Sequence, residues 1–126
     1  PSALLKSLAL AAPNVELIDT PSHELMAELI RDAHVNLLLT FQQTGVKLKL
    51  LHALQSGRHL LINPYMDDDG IFSEMCDIRN NPEDLASRLD ELMDIPFTQD
   101  LKDARDIKFN AIFSNRLKAE QIKELL

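Results

Sequence analysis

VNLLLTFQQTGVKLKLLHALQSGRHLLIN, residues 35–63, decides the fold of this 126-residue chain. It opens on a nearly continuous apolar run, VNLLLT, the mark of a strand covered on both faces. A polar loop follows, then a helix whose core stripe is Val46, Leu50, Leu51 and Leu54. Gly57 stops that helix, and HLLIN is a second short apolar strand. Strand, helix and strand in that order predict a βαβ unit with parallel strands.

The same alternation extends outward. Upstream, the turn and cap residues Thr20 to Ser22 precede Leu25, Met26, Leu29, Ile30 and Ala33 at helical spacing. Before them, NVELID reads as a strand with Val15, Leu17 and Ile18 turned inward, and Ser2 to Pro13 as a helix closed by its proline. Downstream, the spacing predicts a loop, a helical turn around Ile71 to Met75 and an edge strand at Cys76 to Arg79. In NPEDLASRLDELMD, Asn81 caps a helix, Pro82 fits its first turn, and Glu83 and Asp84 suit the positive end of its dipole. Leu85, Leu89 and Leu92 form its inner stripe. Pro96 breaks the chain, and two more helices are predicted near Asp100 to Phe113 and Ser114 to Leu126.

Short apolar strands alternating with helices predict an α/β fold: one Rossmann-like domain over 1–126, a parallel sheet with helices on both faces. The helices of 97–126 pack on it. Because the chain opens on a helix, the first strand or strands of the sheet are expected to be missing from it.

Composition narrows the function. Thirteen Lys and Arg stand against twenty Asp and Glu, a net charge of -7, which opposes a phosphate backbone. Aromatic content is 5% with no Trp, poor material for stacking bases, so no nucleic-acid partner is expected. The single cysteine, Cys76, excludes an internal disulfide and a cysteine-based zinc site. It fits a reducing compartment, most simply the cytoplasm. No apolar run has the length of a transmembrane segment, and no signal peptide is visible.

In open α/β sheets ligands collect at the C-terminal ends of the strands. Three loops qualify: Asp19 to Ser22, Thr40 to Gly45, and Asn63 to Gly70. TFQQTG brings hydroxyls, amides and a glycine to the start of a helix whose first turns hold Lys47 and Lys49. Free N–H groups at a helix N-terminus beside ammonium groups can take an anion. The same residues also read as a solvated loop and an exposed helix face. DDDG, Asp67 to Gly70, lacks the alternating spacing of a calcium loop and reads as a solvated turn. His23, His34 and His59 share no metal-ligand spacing; His34 and His59 read as boundary residues of strands. No Gly-x-Gly-x-x-Gly or Walker loop is present, and neither a metal nor a bound cofactor is expected.

KLLHALQSGRHLLIN, Lys49 to Asn63, resembles the donor-binding segment of GT-B glycosyltransferases of the large group 1 type. Those enzymes carry Lys-x-x-Glu-(Tyr/Ala)-(Met/Leu)-Ala-x-Gly-(Lys/Arg/Thr)-Pro-Val-Ile here. Lys49, Ala53, Leu54, Gly57, Arg58 and the strand LLI match. VELIDTPSHELMAELIRDAHVNLLLT, NNPEDLASRLDELMD and the final helices resemble the surrounding elements, so the likeness runs from Val15 to Leu126.

The resemblance implies the C-terminal half of such an enzyme, which takes a nucleotide-sugar donor. An N-terminal domain outside this chain would hold the acceptor, and the fragment alone would be inactive. By the family's pattern the amides near Thr44 to Val46, with Gly45 allowing close approach, would cradle the diphosphate, and Lys49 would lie near that charge. The ribose-holding position is His52. The family's Glu-x7-Glu pair falls on Thr44 and His52, so both carboxylates are absent. That departure leaves a second reading: a non-catalytic Rossmann-like module with a protein-interaction or structural role.

Overall fold

The computed structural model describes residues 3–41, 48–67 and 70–125, with side chains as far as Ser114. Its α-helices are α1 (Ala3–Ala11), α2 (His23–Asp32), α3 (Leu48–Ser56), α4 (Pro82–Met93) and α5 (Gln99–Leu125). Three strands, β1 (Val35–Leu38), β2 (His59–Ile62) and β3 (Asp77–Ile78), form a parallel sheet in the order β1-β2-β3. Val35 pairs with His59 and Leu38 with Ile62, and Leu61 then pairs with Asp77. The fold is therefore α/β with a small parallel sheet between helices, an arrangement compatible with a Rossmann-like domain.

Alternation along β2 assigns the two faces. Leu60 and Ile62 join Ile30, Leu50, Ala53, Leu54 and Phe109 in the main core, the side of α2, α3 and α5. His59 and Leu61 point the other way, toward α4, whose Leu92 is 1% exposed. All four residues of β2 are buried, so the central strand is covered on both faces as a parallel strand must be, with His59 its one polar member. Each fully buried Leu or Ile contributes about 1.5–3 kcal/mol over an exposed one.

Local chemistry sets several boundaries. The Ser22 hydroxyl accepts from the Leu25 amide, and the Asn81 side chain accepts from the Asp84 amide, closing the starts of α2 and α4 as expected. Gly57 follows α3, but its φ lies outside the left-handed region that Gly70 occupies at φ 67°. Gly57 is required by space instead. A Cβ there would stand 2.7 Å from the Ala53 carbonyl oxygen and 2.7 Å from Nδ2 of Asn36, which donates to the Ile30 carbonyl.

Three expectations are corrected. NVELID is not a strand: Val15, Leu17 and Ile18 are 53%, 38% and 36% exposed, and no ladder pairs with them. The first strand is not covered on both faces, since Leu37 and Leu39 are 43% and 44% exposed and β1 forms one edge of the sheet. The last two helices are one, α5, because no Gly or Pro interrupts Gln99–Leu125. The predicted turn and edge strand appear as a 3-10 turn at Ser73–Met75 and as β3.

Candidate functional site

At the C-terminal edge of the sheet the chain leaves β1, crosses the loop and enters α3. Thr44 and Gly45 lie outside the described residues. Lys49, in the first turn of α3, is exposed, and His52 is half-buried. Three positions apart on one helix, they share a face. The inner side of the same helix, Leu50, Ala53 and Leu54, packs in the core, so Lys49 and His52 are carried on a helix seated against the sheet.

Asn63 organises the adjoining strand ends. Its side chain is buried, donates from Nδ2 to the Thr40 carbonyl at 2.7 Å and accepts from the Thr40 amide at 3.2 Å. The amide thus continues the β1–β2 ladder one step past the last strand residues. On the α4 side of this edge a groove of about 360 Å³ runs between Leu37, Leu39 and Phe41 on one wall and Leu85 and Leu89 on the other. In the third loop, Asp67 accepts from the Phe72 amide at 3.0 Å, so this carboxylate of DDDG shapes the turn.

The N-terminal edge holds a polar network that periodicity did not reveal. Two helices end there, and their last carbonyls need donors. His34 Nε2 lies 2.8 Å from the Leu92 carbonyl oxygen and His59 Nε2 lies 2.7 Å from that of Ile95. A carbonyl only accepts, so each Nε2 carries the proton. Arg105 of α5 donates from Nη1 to the Arg58 carbonyl at 2.6 Å and from Nη2 to the Gly57 carbonyl, just past the end of α3. The rings of His34, His59 and Phe97 meet edge-to-face at 5.1 Å, and the Arg105 guanidinium sits 5.0 Å over Phe97. Arg105 is 6% exposed, and burial lowers its pKa. Its hydrogen bonds go to carbonyls at the negative end of α3, and the Asp106 charge partly offsets the effect of burial. The available signal was a histidine at or just before the start of each of two paired strands.

A cleft of about 400 Å³ adjoins this network, lined by Met75, Cys76, Leu92, Phe97, Leu101 and Arg105 among others. On its wall Arg88 bonds Asp77 at 2.9 Å and Glu91 at 2.8 Å. The Cys76 thiol donates to the Phe72 carbonyl and is pushed up to about 12, first by burial and then by Asp67 and Asp77. It is no nucleophile at neutral pH. Ellman's reagent at pH 8 is expected to label the unfolded chain rapidly and the native chain at least tenfold more slowly; equal rates would refute the burial. A thiol pKa raised from 9.0 in the unfolded chain gives stability that is full below pH 9 and declines as pH rises toward 12.

Among the described residues no group of His, Cys, Asp and Glu could hold a metal ion, and no helix is long and apolar enough to cross a membrane. Comparison of the chain with protein-family models, with curated proteins and with solved structures gave no match.

Proposed function

We propose that this chain is the donor-binding domain of a GT-B glycosyltransferase of the group 1 type, acting in a longer protein on a nucleotide-sugar. The observation that supports it best is the parallel β1–α3–β2 unit, which sets Lys49 and His52 on one face of α3 near the C-terminal edge of the sheet. In this reading the diphosphate meets the loop and first turn of α3, with Lys49 adding charge, and His52 holds the ribose. Thr44 and Gly45 belong to the phosphate loop. Catalysis would rest on orienting the donor and stabilising the departing diphosphate, with the acceptor supplied by a separate N-terminal domain.

An imidazole at position 52 offers at most one acceptor where a carboxylate offers two. Calorimetric titration with UDP, GDP and their sugars tests the site. Lys49→Ala is expected to weaken binding about two- to fivefold, the size of one exposed charge contact, while Lys108→Ala on α5 leaves it unchanged. His52→Glu is expected to tighten it about fivefold or more by restoring the two-oxygen grip on a ribose diol. No thermal stabilisation at millimolar nucleotide, in this chain and in the intact protein alike, would overturn the proposal. That result would favour the second reading, a non-catalytic interaction module, to which the absent carboxylates at positions 44 and 52 already point.

A further inference from the structure

We draw no further inference here: the strongest candidate, the apolar groove of Leu37, Leu39, Phe41, Leu85 and Leu89 beside β1, carries nothing because nothing in the structure shows what covers it.

Discussion

Arg105→Met is expected to lower stability by about 2–4 kcal/mol, or about 7–14 °C in melting temperature for a chain of this length. The Gly57 carbonyl loses its donor at a buried position and the Arg58 carbonyl at a part-buried one, and a buried unsatisfied acceptor costs about 1–3 kcal/mol. Relief from desolvating the guanidinium offsets part of the loss. Methionine preserves most of the stem and its packing, so the measurement reads the hydrogen bonds together with the guanidinium's contact over Phe97. Arg105→Lys should recover less than half, because one ammonium cannot reach both carbonyls with a planar fork. A thermal melt of Arg105→Met within 2 °C of the parent, on the scale of about 3–4 °C per kcal/mol, would show that the pin contributes nothing.

Gly57→Ala is expected to cost about 2–3 kcal/mol, although alanine is the better helix former. The added methyl meets a backbone oxygen and the Asn36 amide, both at 2.7 Å, where real Cβ contacts do not occur. Relief requires shifting the end of α3 or breaking the Asn36 bond to Ile30, and that bond ties β1 to α2. Asn36→Ala should therefore lower the incremental cost of Gly57→Ala, and a double-mutant cycle measures this coupling. Strict additivity of the two changes would remove Asn36 from the steric explanation and leave the clash with the Ala53 carbonyl alone.

The part of the fold written in local pattern was legible. β1, α3 and β2 stand where the apolar runs and the helical stripe put them, and α2 and α4 start at the caps expected of Ser22 and Asn81. The continuity of α5 was a local matter, but most of what the pattern missed depended on a neighbour remote in sequence. NVELID has the composition of a strand, but a strand also needs a ladder partner, and the sheet ends at β1. Gly57 was read as a conformational stop, whereas its neighbour Asn36 lies on another element. Nothing local marks Arg105 as a structural donor, because its acceptors lie 47 and 48 residues away. Of the proposed site, Thr44, Gly45 and Lys49 came from the loop-to-helix pattern and His52 from the family resemblance, and Thr44 and Gly45 lie outside the described residues. The Thr40–Asn63 clamp came only with the fold, since nothing local distinguishes an asparagine that bridges two strand ends from one that ends a strand.

The three donors at the N-terminal edge also divide the domain mechanically. His34 and His59 hold the chain at the end of α4, and Arg105 holds the chain at the end of α3, so both helices are tethered at their exits. A tether at one end of a rod makes that end the fulcrum. Any tilt of α3 or α4 is then largest at its entrance, above the C-terminal ends of the strands where a ligand would arrive.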